Sequence, residues 1–221
     1  MAPQRQLTGG SDPINAQRYS TQRPYSPEDL AQPLYDRVNY PTAGATELRF
    51  FTQPLGSIVT LNQAGVALAT KNKSYRDTNM DNAGVVPTKR YTFTGLSINY
   101  IALQQTYTVA NTASIGDDIL RLMNGGYIEF RIVDKPLLYV PLNMIPSSNP
   151  INSISTTMNA STTMGTGALA ALPFPMFKFA IPITLNPYEN FSFIIRFDGA
   201  VTLTQSTDIQ TVLHAFMRRP S

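Results

Sequence analysis

From residue 46 onward apolar and polar positions alternate with a period of two, the signature of half-buried strands. The alternation predicts strands over residues 47–52, 57–62, 88–102, 128–132, 137–142, 177–183, 191–197 and 209–217. Within the third, Tyr91 and Phe93 hold the odd phase and Leu96, Ile98 and Tyr100 the even one. A β-bulge at Thr94-Gly95 would absorb that change. Pro182 makes the sixth strand an edge strand or breaks it. One stretch switches to helical spacing: Ile115, Ile119, Leu122 and Met123 follow Ser114 and Asp117, which stand at capping-box separation, and Gly125-Gly126 would end the helix.

Residues 1–45 read differently. Prolines at 3, 13, 24, 27, 33 and 41 forbid a long helix or a central strand. The segment predicts an extended arm, with the folded domain at 46–221. Residues 143–172 form a Ser/Thr/Asn/Gly/Ala-rich loop without periodicity, long enough to suggest an interface excursion. The fold expected is all-β: a single eight-stranded jelly-roll sandwich with one short helix and an extended N-terminal arm. An immunoglobulin-like sandwich fits less well, because the chain has no Trp.

Composition narrows the chemistry. The chain has no Cys, which removes disulfide, zinc-ribbon, iron–sulfur and thiol chemistry together. With His214 as its single histidine, it cannot form a His-pair metal site within one chain. Charged residues are 14% of the chain, against about 25% in an average soluble protein. Thr, Ser, Asn and Gln make up 65 of the 221 residues. Surfaces of uncharged polar groups suit a protein packed against copies of itself. The net charge of +3 does not point to strong nucleic-acid binding, since the first 45 residues are neutral and the excess sits in residues 71–90, read as a solvated loop. Residues 1–6 lack the apolar run of a secretion signal, and no window approaches the roughly 18 apolar residues of a transmembrane helix.

The individual motifs are weak as sites. Residues 77–84 have the D-x-N-x-D rhythm of a calcium loop, but Asn82 and Thr88 stand where an EF-hand needs Gly and Glu, so Asx-turn chemistry is the better reading. Asp117-Asp118 could be paired carboxylates, yet acids are favoured in a first helical turn without catalysis. Tyr107 or Tyr139 could stack on a sugar. No nucleotide-binding or hydrolase signature occurs, so no enzyme activity, cofactor or metal is expected.

Several stretches together resemble virion proteins of bacteriophages: Arg76-Asp77-Thr78-Asn79-Met80 with Ala83-Gly84, Pro87 and Arg90-Tyr91-Thr92-Phe93; Gly126-Tyr127-Ile128-Glu129-Phe130 with Asp134-Lys135-Pro136, Pro141-Leu142 and Ile145-Pro146; and Pro175-Met176-Phe177 with Ile181-Pro182-Ile183, Pro187 and Asn190-Phe191. The resemblance spans roughly residues 46–220. It implies a jelly-roll coat, penton or decoration (cement) protein of an icosahedral capsid, located in the virion after assembly in the host cytoplasm. The expected partners are the chain itself, as a trimeric or pentameric homo-oligomer, and other capsid proteins. The arm would clasp neighbours, with Tyr19, Tyr25, Leu34 and Tyr35 as assembly contacts, because aromatic and apolar anchors dominate desolvated interfaces. The alternative is a receptor- or carbohydrate-binding jelly-roll module.

Overall fold

A computed structural model describes residues 29–63, 66–102, 109–146 and 176–218. The architecture is all-β with one long helix. The strands are β1 (Asp29–Ala31), β2 (Leu34–Tyr40), β3 (Glu47–Phe50), β4 (Ile58–Gln63), β5 (Val66–Asn72), β6 (Arg90–Ala102), β7 (Gly126–Ile132), β8 (Lys135–Pro141), β9 (Phe177–Leu185), β10 (Phe191–Phe197) and β11 (Thr207–Arg218), and helix α1 (Val109–Gly125) lies between β6 and β7. One antiparallel sheet runs β2-β11-β6-β9, with β1 continuing the β2 edge alongside β11. A second runs β3-β10-β7-β8, and β4-β5 form a separate hairpin.

The period-two pattern explains both sheets. In β11, Ile209, Thr211, Leu213, Ala215 and Met217 are buried while Gln210, Val212, His214 and Phe216 on the other face are half-buried. The inward residues of β6 and β11 meet Phe50, Ile128, Phe130, Phe193 and Ile195 of the second sheet in one core. Phe130 is its hub, with ring centroids 5.9 Å from Phe93 across the two sheets and 6.0 Å from Phe193. Such pairs add about 0.5–1.5 kcal/mol each beyond the burial of their area. The expected bulge is present: His214 pairs Gly95 and Ala215 pairs Phe93, leaving Thr94 as the extra residue. Gly95 is required there, since a Cβ would sit 2.8 Å from the Phe177 carbonyl oxygen. Strand β9 is an edge strand, and its register with β6 jumps across the stretch containing Pro182.

Three expectations are corrected. Residues 34–40, assigned to the arm, form a seven-residue strand paired with β11 from Leu34↔Leu213 to Tyr40↔Thr207. Pro33 and Pro41 flank this strand without interrupting it, so the proline argument does not reach it. The helix begins at Val109, five residues before the expected cap, so Ser114 lies inside it; Ala110 and Ala113 are strong helix formers that carry the helix upstream. Residues 66–72, expected as part of no element, pair with β4. The Met144 end of the long loop is a single 3-10 turn over Leu142–Met144, and residues 147–172 lie outside the described residues. Among the described residues no helix is long and apolar enough to cross a membrane.

Candidate functional site

Of the four assembly contacts expected from the sequence, Tyr19 and Tyr25 lie outside the described residues. Leu34 is corrected: it is 1% exposed in the core of its own chain and has no surface to offer a neighbour. Tyr35 is half-buried, and its hydroxyl donates to the Tyr75 carbonyl of the same chain. Tyr107 also lies outside the described residues, whereas Tyr139 is exposed beside Tyr127, with ring centroids 6.5 Å apart.

The carboxylate candidates separate. Asp117 is exposed and pairs with Arg121 at 2.7 Å, one helical turn away. Asp118 points inward and accepts the backbone N–H groups of Thr204 at 2.8 Å and Gln205 at 3.2 Å, fixing α1 to the turn before β11. The two do not face a common site. In the calcium-like loop, Asp77 is filled by protein donors: Lys71 Nζ at 2.6 and 2.8 Å, and the Ser74 N–H and hydroxyl at 3.1 and 3.0 Å. Among the described residues no group of three His, Asp or Glu side chains could hold a metal ion. His214 shares a 2.8 Å hydrogen bond with Ser97 on the outer face of the first sheet, and burial lowers its pKa.

Two charged assemblies were not visible in the sequence. One is buried, where β2 meets the β4-β5 hairpin and β11. Arg37 donates through Nε to Asp208 at 2.7 Å and through Nη2 to the Asn62 carbonyl at 2.7 Å. Asp208 also accepts from Asn39 at 2.6 Å and from the Asn62 N–H at 2.8 Å. Beside them Lys73 pairs with Asp36 at 2.6 Å, and Asp36 accepts the Phe51 N–H at 2.6 Å. Burial raises the pKa of Asp36 and of Asp208, with Lys73 opposing it at the first and Asn39 and Arg37 at the second. For Asp77 burial acts in the same upward direction, but Lys71 and Ser74 outweigh it and hold the carboxyl below its ordinary range. The reading of residues 71–90 as a solvated basic loop is thereby corrected: Lys73 is buried and Lys71 is neutralised, while Arg76 and Arg90 remain exposed.

The second assembly crosses the outer face of the other sheet. Glu129 accepts from Arg196 at 2.7 Å and from Arg131, and Arg196 also pairs with Glu47, which pairs with Arg49. Arg196 first, and Arg131 after it, hold the Glu129 carboxyl below its ordinary range against the effect of burial. A carboxylate with a depressed folded pKa stabilises the protein above its unfolded pKa, and this is lost as pH falls through the folded value. Glu129→Gln is therefore expected to be less stable than the parent chain at pH 7. The difference should shrink steadily below about pH 4.5, the ordinary glutamate value. Urea denaturation of both chains between pH 3 and 7 checks this; a difference independent of pH would show that the charge of Glu129 is not what matters.

The buried assembly lies at the wall of a concavity. A slot of about 330 Å³ opens between Arg37, Val38 and Asn39 of β2 and residues 58–61 of β4, with Gln53 at its side. Arg37 and Asn62 tie the two walls together at one end. Ile58, at its rim, is 72% exposed. Among the described residues no catalytic pair, metal set or phosphate-binding turn lines the slot; what they offer is main chain and amide chemistry. The chain matches no family model and no curated protein.

Proposed function

We propose that this chain is a jelly-roll capsid subunit of bacteriophage type, a coat, penton or decoration protein that assembles with copies of itself and holds neighbours through the residues preceding β1. The strand order carries the reading. Along the chain β2, β6, β9 and β11 fall in one sheet and β3, β7, β8 and β10 in the other, orders β2-β11-β6-β9 and β3-β10-β7-β8, which supports a jelly roll of two interleaved Greek keys. Self-assembly is supported by side chains that a free monomer would leave to water: Ile181 is 81% exposed, Ile58 and Tyr75 72%, and Tyr188 71%. Of the proposed anchors Tyr19 and Tyr25 remain; Leu34 and Tyr35 are engaged within their own chain. Arg37, Lys71 and Lys73 are paired internally, and residues 1–45 carry four Arg against four Asp and Glu, so the genome is not the partner this reading assigns.

The exposed Tyr139, beside the half-buried Tyr127 and next to Glu129 and Arg131, favours a second reading, carbohydrate or receptor binding on that sheet face. The two separate by solution mass. The full chain is expected to form closed oligomers of fixed size, trimers, pentamers or shells, as concentration rises in light scattering and native mass spectrometry. A tight monomer at all concentrations, with saturable binding of soluble glycans, would overturn the capsid reading in favour of the second.

A further inference from the structure

The outward side chains of the second sheet form a small grid. Residues directly opposite one another in an antiparallel sheet share a face. Arg49, Ile194, Glu129 and Tyr139 therefore stand in one row across β3, β10, β7 and β8, and Glu47, Arg196, Tyr127 and Pro141 in the next. Ser192 and Arg131 begin a third row on the other side of the first. Neighbouring rows are roughly 7 Å apart, two residues along a strand. Glu129 and Ile194 are buried at the middle, whereas Tyr139 and Arg49 are exposed and Arg131 and Arg196 half-buried. Every carboxylate oxygen of the grid already accepts from an arginine. Glu129 takes Arg131 on Oε1 and Arg196 on Oε2; Glu47 takes Arg49 on Oε1 and Arg196 on Oε2. Each guanidinium has more N–H donors than these bonds use. Three arginines against two saturated glutamates leave unspent donors and one net positive charge. The Tyr139 hydroxyl lies 3.5 Å from the same Glu129 oxygen that accepts from Arg131, so the exposed ring and that fork border one position.

We propose that this face binds a saccharide carrying a single anionic group, its pyranose ring packed on Tyr139 and its carboxylate or sulfate on the Arg131 fork. The inference rests on the second reading above and names its ligand class. An exposed tyrosine joins an apolar ring to a polar tip, which suits the mixed C–H and hydroxyl surface of a pyranose. A planar fork binds an oxyanion through paired N–H donors, with geometry as well as charge. Charge complementarity separates this ligand from its rivals. One net positive charge fits one anion. A nucleic-acid strand carries a charge at every nucleotide and would need several phosphates neutralised, yet here it would meet Glu129 and Glu47 among the arginines. A protein partner would want an apolar centre with its charges at the rim, and the centre of this face is the Glu129 ion pair.

The test titrates the full-length chain, by calorimetry, with four probes: a short oligosaccharide containing one uronic acid, its neutral methyl ester, a monosulfated neutral oligosaccharide, and an oligothymidylate strand. The two anionic sugars are expected to bind saturably, and the ester about tenfold or more weakly. Binding by only one of the two anions supports the proposal and identifies the group. Arg131→Gln is the discriminating variant, expected to bind acid and ester with equal affinity. Tyr139→Ala removes an exposed ring that the fold does not need. It should melt with the parent chain and weaken every bound sugar roughly fivefold or more, so the face is tested even where Arg131→Gln disturbs the sheet. An Arg131→Gln chain that still prefers the acid overturns the proposal. So does a parent chain that binds ester and acid alike; if that binding falls in Tyr139→Ala, the carbohydrate reading survives and only the anion is lost. Oligothymidylate binding that disappears in Tyr139→Ala assigns the face to nucleic acid and overturns the proposal too. No saturable binding of any sugar sinks the carbohydrate reading and the proposal together.

Discussion

Lys73→Ala is expected to lower the unfolding free energy by about 3–5 kcal/mol, the range for removing one partner of a buried ion pair. Both side chains of the Lys73–Asp36 pair are 1% exposed and 2.6 Å apart. Without the ammonium, the Asp36 carboxylate keeps only neutral donors, the Phe51 N–H and the Thr78 side chain, against the cost of burial. The loss should ease on acidification. Burial already raises the Asp36 pKa, and removing Lys73 raises it further, so the folded variant binds a proton that the unfolded chain does not until lower pH. Native protonation then stabilises the variant as pH falls toward that raised value. Replacing the pair together, as Asp36→Asn with Lys73→Met, should recover most of the loss, because the amide oxygen keeps the Phe51 N–H satisfied and no charge is left buried. Urea unfolding of the three chains at pH 7 and pH 5 is the measurement. A cost below about 1 kcal/mol, as for surface pairs, would mean that water reaches Lys73.

Deleting residues 1–28 and deleting residues 1–45 should have opposite consequences for folding. The longer deletion removes β2, and with it Leu34 and Tyr40 from the core, seven register pairs from the edge of β11, and the partners of Lys73 and Asp208. Unsatisfied buried charge and an open central strand together exceed the 5–15 kcal/mol by which domains are stable. That chain is expected to be insoluble, or to lack a cooperative melting transition. The shorter deletion leaves every described strand in place, so its melting temperature should stay within a few degrees of the parent, while the assembly proposed above should be lost with the residues preceding β1. Circular dichroism melting and scattering mass on the two truncations decide the matter; a well-folded chain starting at residue 46 would refute the placement of β2.

How much of this could be read from the residues depended on how local the cause was. Strands β6, β7, β10 and β11 were legible to within about two residues because burial on one face writes a period of two into the sequence, and the Thr94-Gly95 phase change located the bulge. Strand β2 was hidden by the prolines that flank it, and β5 by a run in which only Val66 and Thr70 are strand formers. The slot was out of reach for a different reason. Its walls are fixed by Arg37 and Asp208, separated by 171 positions, and by Lys73 and Asp36, separated by 37. Nothing at Lys71 or Lys73 distinguishes a lysine that will be buried from one in water until the fold supplies its acid.

The last described strand is also the one on which the first sheet depends. Strand β11 lies between β2 and β6 and contacts each along most of its length. A ribosome therefore exposes the apolar faces of β2 and β6 long before the segment that joins them has been synthesised, and domains with such long-range pairing close slowly. Nascent chains of this protein must wait, unfolded or held by chaperones, until residues 207–218 have cleared the exit tunnel. A product terminated before β11 lacks the strand that joins β2 to β6, so translation itself screens out copies whose first sheet cannot close.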